Sequence, residues 1–107
     1  MQKHMDAFIE AHPYGWGHDE WLGLLADLEQ AGVDVSDVEA IGYELENQRL
    51  AWELERLEVP GLGPKRIDAV VDRFGTFWSL KHAEVDDVAG IKTIPGKLAE
   101  KVVAAVR

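Results

Sequence analysis

Hydrophobic residues in this chain recur at the three- and four-residue spacing of helices, and they never alternate over four or more positions as strands require. The first helical pattern stops near His12, because the residue before Pro13 avoids helical geometry. Asp19 is then a candidate cap for a helix over about 20–31, which Gly32 can end in a left-handed conformation. The pattern predicts an all-α protein.

A long helix is predicted in the middle of the chain. Ser36 and Glu39 have the capping-box spacing, in which each side chain satisfies a free backbone N–H group of the other residue. Apolar residues then follow two adjoining stripes to about Glu58, and Pro60 breaks the helix. Two stripes indicate contacts on two sides. The stripes consist of Val38, Ile41, Leu45, Leu50, Trp52, Leu54 and Leu57.

Shorter helices are predicted in the second half. The helical spacing of "KRIDAVVDRF" ends at Gly75, and Thr76 can cap a short helix around "FWSLKHA". Another short helix is predicted around "VDDVAG", where Asp86 and Asp87 suit the positive end of a helix dipole. The last helix is predicted from about Gly96 to the end of the chain.

The second half also repeats itself. A single shift of the sequence against itself places Val59 on Ile91 and Lys65 on Lys97 without a gap. A duplicated helical hairpin with a tight turn explains this match better than chance alignment of two amphipathic helices. The other matched pairs are Leu62 with Ile94, Ala69 with Lys101, Val70 with Val102 and Val71 with Val103.

Charge is distributed unevenly along the chain, whose net charge is −9. Residues 1–59 hold 3 basic and 14 acidic side chains, whereas residues 60–107 hold 8 basic and 6 acidic ones, a net charge of +2. A nucleic-acid partner is therefore expected to bind the second half. The acidic first half is either an ordinary solvated helical surface or one adapted to high salt.

The segment "VPGLGPKR" has the composition of an anion site. Its glycines let the backbone approach a phosphate, and Pro64 suits a first helical turn, where no donor is needed. Unpaired N–H groups and the positive end of the helix dipole meet at such a turn, and Lys65 and Arg66 add charge. The segment therefore predicts recognition of phosphate groups, which carry no base sequence.

Residues from about 50 to 107 resemble a tandem helix-hairpin-helix domain of the five-helix type. Each hairpin of that family reads hydrophobic-Pro-Gly-hydrophobic-Gly and leads into a helix with an early lysine or arginine, as "VPGLGPKR" does. The family occurs in excision-repair nuclease subunits, Holliday-junction-binding proteins, NAD-dependent DNA ligases and structure-specific nucleases. The resemblance implies binding to DNA of any sequence, through backbone amides that hold phosphates across the minor groove. The DNA-binding positions that it implies in the first hairpin are Gly61, Leu62, Gly63, Lys65 and Arg66.

The second hairpin, "IKTIPGK", departs from that pattern. Thr93 and Pro95 stand where the first hairpin has its two glycines, and proline has no N–H group to offer a phosphate. Three lysines keep this surface positive. The positions carried over for DNA binding are Lys92, Thr93, Lys97 and Lys101.

The sequence thus predicts an acidic helical segment over residues 1–48, packed on or extending the core, and a tandem hairpin domain over 49–107. The first hypothesis is a module that binds duplex or branched DNA in repair or recombination. The alternative is a protein-interaction or dimerisation scaffold with an altered second hairpin. Under either hypothesis, the acidic N-terminal helices are a candidate surface for a protein partner or a second copy.

Neither catalysis nor a metal or cofactor is predicted. A nuclease needs carboxylates that converge on a metal ion, whereas these carboxylates are spread around helices. His12, His18, Asp19 and Glu20 lie near one another in sequence, but their spacing matches no ligand motif, and a solvated loop before an acidic helical turn explains them better.

The four tryptophans could pack in the core or stack on bases. Helical positions beside leucines favour core packing for Trp21, Trp52 and Trp78, whereas Trp16 in its loop is open to either core packing or base stacking.

No apolar run reaches the length of a membrane span, no secretory signal is recognisable and no cysteine is present. A cytoplasmic protein without a membrane partner is therefore expected.

Overall fold

The computed structural model describes residues 1–107, and all of its regular structure is α-helical, which confirms the all-α prediction. None of the helices combines the length and apolar character that crossing a membrane requires. The chain divides into two compact units, 1–48 and 49–107, with the boundary inside the third helix. The helices are α1 (Gln2–Ala11), α2 (His18–Gln30), α3 (Val38–Leu57), α4 (Pro64–Phe74), α5 (Phe77–Lys81), α6 (Val85–Ala89) and α7 (Gly96–Val106).

The first unit contains α1, α2 and the beginning of α3. α1 and α2 contact each other, and α3 approaches α2 where a Cβ atom built on Gly42 would lie 3.7 Å from the Trp21 ring. Trp16 packs edge-on against Phe8, with ring centroids 5.1 Å apart, so it is partly buried in this unit. The buried hydrophobic residues are Met5, Phe8, Ile9, Leu24, Leu28, Ile41 and Leu45.

The second unit contains the rest of α3 and the four helices that follow. One hydrophobic cluster draws on every one of these helices, so the short helices α5 and α6 are held by packing, since they are too short to be stable alone. Its buried members are Leu50, Leu54, Val59, Leu62, Ile67, Val70, Leu80, Ala83, Val88, Ile94, Leu98, Ala99, Val102, Val103 and Val106.

Two predicted helix caps are wrong by one or two residues. α2 begins at His18 after Gly17, so Asp19 lies in the first helical turn. Its negative charge there still interacts favourably with the positive end of the helix dipole. At the start of α3, the Asp37 side chain accepts the N–H of Ala40 at 3.1 Å and replaces the predicted Ser36 cap. Asp, Ser and Gly are all good caps, and local geometry selects among neighbouring candidates.

The predicted helix ends at glycine are confirmed. Gly32 and Gly75 have φ angles of +87° and +77°, in the left-handed region that side chains avoid. Thr76 caps α5 as predicted, because its hydroxyl oxygen accepts the N–H of Ser79 at 3.0 Å. The sequence therefore marks helix ends more reliably here than helix starts.

Three residues predicted to be buried are exposed. Leu57, the last residue of α3, is 37% exposed. Val38 is 45% exposed because it is the first residue of α3 and lies beyond the packed part of its stripe. Trp78 is 68% exposed, which contradicts its predicted place in the core. In the five-residue helix α5, Leu80 points into the core, and Trp78, two residues earlier, lies on another face.

Candidate nucleic-acid interface

Two helical hairpins are present in the second unit, and they are related by the shift that places Val59 on Ile91. α3 ends at Leu57 and α4 begins at Pro64, while α6 ends at Ala89 and α7 begins at Gly96. The two connections are therefore equal in length, and α4 and α7 each contain 11 residues. We call residues 58–63 the first turn and residues 90–95 the second turn.

The first turn is closed by its own backbone. The N–H of Leu62 donates to the carbonyl of Val59 at 3.0 Å, and the N–H of Ile67 donates to the carbonyl of Gly63 at 2.9 Å as α4 starts. Gly61 has a φ of +91°, so this turn needs glycine at that position.

The second turn keeps the same hydrogen bonds without that glycine. The N–H of Ile94 donates to the carbonyl of Ile91 at 3.0 Å, and the N–H of Ala99 donates to the carbonyl of Pro95 at 2.9 Å. Thr93 occupies the position of Gly61 but has no positive φ. The substitution of threonine for glycine thus changes the local conformation of the turn and leaves its closure intact.

Between Gly61 and Arg66, four backbone N–H groups have no partner within the chain: those of Gly61, Gly63, Lys65 and Arg66. They lie at the positive end of the α4 dipole. An open hollow of about 540 Å³ is lined by Gly63, Pro64, Lys65 and Arg66. The first turn therefore combines free donors, a favourable dipole and an open space lined in part by Lys65.

The equivalent stretch of the second hairpin, 93–98, also has four unpartnered backbone donors, in a different arrangement. The N–H groups of Thr93, Gly96, Lys97 and Leu98 receive no acceptor from the chain, whereas Pro95 has none to give. The order Gly-Pro in the first turn is reversed to Pro-Gly in the second. The missing donor has moved from the first helical residue to the N-cap, so the second turn offers as many donors in another geometry.

Arg66 joins the two turns. Its Nη1 donates to the carbonyl of Gly61 at 2.7 Å, and its Nε donates to the carbonyl of Thr93 at 2.9 Å. The planar guanidinium group is suited to such a fork of two acceptors. This side chain, predicted to bind DNA, therefore already holds the first turn against the second.

Leu98 makes the reciprocal contact. It occupies the position in the second hairpin that Arg66 occupies in the first, and its Cδ1 lies 3.6 Å from the position of a Cβ atom built on Gly61. The residue in the third position of each hairpin's second helix thus reaches the turn of the other hairpin. Reciprocal contacts of this kind are typical of two copies related by a two-fold rotation.

The other predicted site residues fall into two groups. Leu62 has a buried side chain and an N–H group that is already bonded, so it supports the turn from within. The lysines are exposed, and they are Lys65 on α4, Lys92 in the second turn, and Lys97 and Lys101 on α7. Whether these residues bind DNA stays a prediction.

The two units differ sharply in net charge. Residues 1–48 hold one basic and 11 acidic side chains, a net charge of −10, whereas residues 49–107 hold 10 basic and 9 acidic ones, a net charge of +1. The acidity of the chain thus belongs to the first unit. The second unit is nearly neutral, so its net charge alone predicts little attraction for an anion.

The sequence matches parts of UvrABC system protein C. The protein of that name from Symbiobacterium thermophilum is 40% identical over 68 residues, which is 63% of this chain and 11% of that protein. The one from Thermoanaerobacter sp. is 33% identical over 63 residues, 59% of this chain and 10% of the relative. The one from Francisella tularensis subsp. novicida is 42% identical over 45 residues, 42% of this chain and 7% of the relative.

The chain therefore spans about a tenth of the length of these relatives or less. No protein-family model and no solved structure matches it. The match to the Symbiobacterium protein covers 63% of 107 residues, about 67, so a continuous stretch of that size begins by residue 41 and reaches residue 67. That range contains the whole first turn and the start of α4.

The histidines and carboxylates near residue 18 do not gather into a group of three ligands. No three His, Asp or Glu side chains of the chain are grouped so as to hold a metal ion. His12 lies instead against the Phe8 ring, with its Nδ1 2.8 Å from the Phe8 carbonyl oxygen. Because a carbonyl only accepts, this contact assigns the ring proton to Nδ1.

Replacing Arg66 will lower stability even when its charge is kept. Arg66→Lys removes the fork that reaches both Gly61 and Thr93, so we expect the free energy of unfolding to fall by about 1–2 kcal/mol, as for two ordinary hydrogen bonds. Urea denaturation followed by circular dichroism measures this loss. Lys101→Arg, on the exposed side of α7, is the matched control and should change stability by less than about 0.5 kcal/mol. Equal effects of the two variants would contradict the bridging role.

Proposed function

We propose that residues 49–107 form a tandem helix-hairpin-helix domain that binds DNA of any sequence through the phosphate backbone. The observation that supports this most is the pair of turns related by the internal repeat, each presenting four unpartnered N–H groups where a helix begins. In the first turn the hollow beside Lys65 gives a phosphate room to approach these donors. Phosphate contacts of this kind fix position and carry no base information.

The proposed contacts explain how an acidic chain can bind a polyanion. The N–H groups of Gly61 and Gly63 and the α4 dipole act over a few ångströms, and exposed lysines add charge at the same end of the hairpins. The acidic residues that dominate the total charge belong mostly to the first unit. Salt weakens interactions between charges more than about 10 Å apart, so the donors and lysines nearest a phosphate contribute most to its binding.

We also propose that this DNA binding serves DNA repair. The similar proteins carry the name UvrABC system protein C, and the hairpin motif resembles that of excision-repair nuclease subunits. We propose that the present chain supplies binding and no catalysis. Its carboxylates do not gather into a group that could hold a catalytic metal ion.

A protein-interaction scaffold is the second candidate. The net charge of only +1 in the second unit favours it, because few excess cations are present to attract phosphates. Pro95 at the N-cap of α7 also lacks the donor that Gly63 offers at the N-cap of α4. The first unit, with a net charge of −10, is the surface that we propose for a basic protein partner or a second copy.

Salt dependence of DNA binding tests the proposal. We expect the affinity for duplex or branched DNA, measured by fluorescence anisotropy, to fall about tenfold to a hundredfold between about 50 mM and 200 mM salt, as for release of counterions from two to four phosphates. Two unrelated duplex sequences should bind alike. Absence of binding at the lower salt would contradict the proposal, and a dimer in light scattering would then favour the scaffold.

A further inference from the structure

Trp78 lies on the surface of the second unit and forms a flat aromatic surface there. It is 68% exposed, and its ring stacks on that of His82 with centroids 4.1 Å apart and an interplanar angle of 27°. The Nδ1 of His82 lies 2.8 Å from the Trp78 carbonyl oxygen, which fixes the histidine ring in this stacked position. One face of the indole is therefore covered by His82, and the exposed remainder faces solvent.

The sequence next to Trp78 is basic over a short stretch between Asp72 and Glu84. Residues 73–83 contain Arg73, Lys81 and His82 and no acidic side chain. The Nζ of Lys81 lies 5.4 Å from the centroid of the Phe77 ring, and Lys81 follows Trp78 by three residues in α5, the spacing of neighbours on a helix surface. An exposed aromatic ring with a lysine close by on the same helix complements a base and its phosphate together.

We propose that Trp78 is a stacking platform for an unpaired base of DNA. The base would stack on the exposed part of the indole, and the adjacent phosphate would lie near Lys81. Every base has a flat π-face, so such stacking is independent of sequence, in keeping with the hairpin contacts. The proposal deepens the proposed function, on which it rests, by naming single-stranded DNA adjoining a duplex as the ligand.

The platform lies at the opposite end of α4 from the first turn. α5 begins three residues after the end of α4, whereas the first turn lies at the beginning of α4. The 11 residues of α4 span about 16 Å. A duplex held at the first turn would therefore need a single-stranded extension of several nucleotides to reach Trp78.

Binding to two DNAs distinguishes the platform from the hairpins. The full chain is titrated with a blunt duplex and with the same duplex carrying a single-stranded oligo(dT) extension of about ten nucleotides. Trp78→Ala should weaken binding to the extended duplex by about fivefold to a hundredfold and leave the blunt duplex unchanged. Trp78→Phe, which keeps a ring, should retain most of the affinity. Circular dichroism checks that each variant is folded.

Tyr43→Ala is the matched control, since Tyr43 is also an exposed aromatic residue, at 58%, but lies in the acidic first unit. It should bind both DNAs as the unchanged chain does. Single-stranded oligo(dT) alone provides a test that does not need the hairpins, because stacking should quench tryptophan fluorescence and Trp78→Ala should remove that quenching.

The outcomes separate the two proposals. Failure to bind the blunt duplex, with oligo(dT) quenching retained, overturns the hairpin function and supports the platform. Equal affinity of the unchanged chain and Trp78→Ala for the extended duplex overturns the platform and leaves the hairpins standing. If Trp78→Ala changes the oligomeric state measured by light scattering and leaves DNA binding intact, this face is a protein contact and the platform is overturned.

Discussion

Gly63→Pro will weaken DNA binding about tenfold to a hundredfold, because it deletes one N–H donor of the kind that forms charge-assisted hydrogen bonds to phosphate. Gly63→Ala keeps that donor and adds one methyl group, so its affinity should stay within a few-fold of the unchanged chain. Anisotropy titrations with a blunt duplex at about 50 mM salt measure both. Equal affinities of the two variants would show that this N–H group does not contact DNA.

The fold accommodates both substitutions at Gly63. Its φ of −83° and ψ of −179° are extended and close to the proline range, and a Cβ atom there would meet nothing within 4 Å. The N–H group has no partner in the chain to lose. Thermal melting of both variants checks that the loss of affinity is not a loss of structure.

Charge reversal at Lys65 extends the same test. Lys65 is exposed, lines the hollow beside Gly63 and has its own backbone N–H free. Gly63→Pro combined with Lys65→Glu should abolish detectable binding, since it removes a donor and places a carboxylate where the phosphate would lie. Lys3→Glu, in the acidic first unit, makes the same charge change elsewhere and should weaken binding far less.

Much of the fold was predictable because backbone rules act locally. Gly32 and Gly75 end helices since glycine alone enters the left-handed region without cost, and Pro60 follows the end of α3. The internal repeat was visible in the sequence because hydrophobic positions on two helices and the length of two turns had to match at once.

Other features depend on contacts between distant residues, which a single sequence does not reveal. Trp78 has the same spacing from neighbouring apolar residues as a core position, but one turn of helix is too short to define which face is buried. The bridge from Arg66 to Thr93 joins residues 27 apart in sequence.

The reciprocal contacts give the second hairpin a structural role in the first turn. Thr93 supplies the carbonyl that accepts from Arg66, and Leu98, in the helix after the second turn, packs beneath Gly61. The second hairpin therefore supports the first turn directly, whatever contact it makes with DNA. Its loss of the glycine pattern is compatible with a supporting role that depends on a carbonyl group and a leucine side chain.

Leu98→Ala will destabilise the second unit and loosen the first turn together. Leu98 is buried and contacts the turn at Gly61, so we expect the free energy of unfolding to fall by about 2–5 kcal/mol, as for other buried leucines. Leu98→Met, which nearly conserves volume, should cost less than about 1.5 kcal/mol. Urea denaturation measures stability, and anisotropy titrations under conditions where both variants remain folded measure DNA binding.

The supporting role predicts a specific pattern in these data. DNA affinity should fall in Leu98→Ala even when the protein is folded, because the free N–H groups of Gly61 and Gly63 are then less firmly positioned. Combining Leu98→Ala with Arg66→Lys should be non-additive, since both residues hold the same pair of turns. Additive losses of stability, with DNA affinity unchanged in the folded Leu98→Ala protein, would show that the two hairpins act independently.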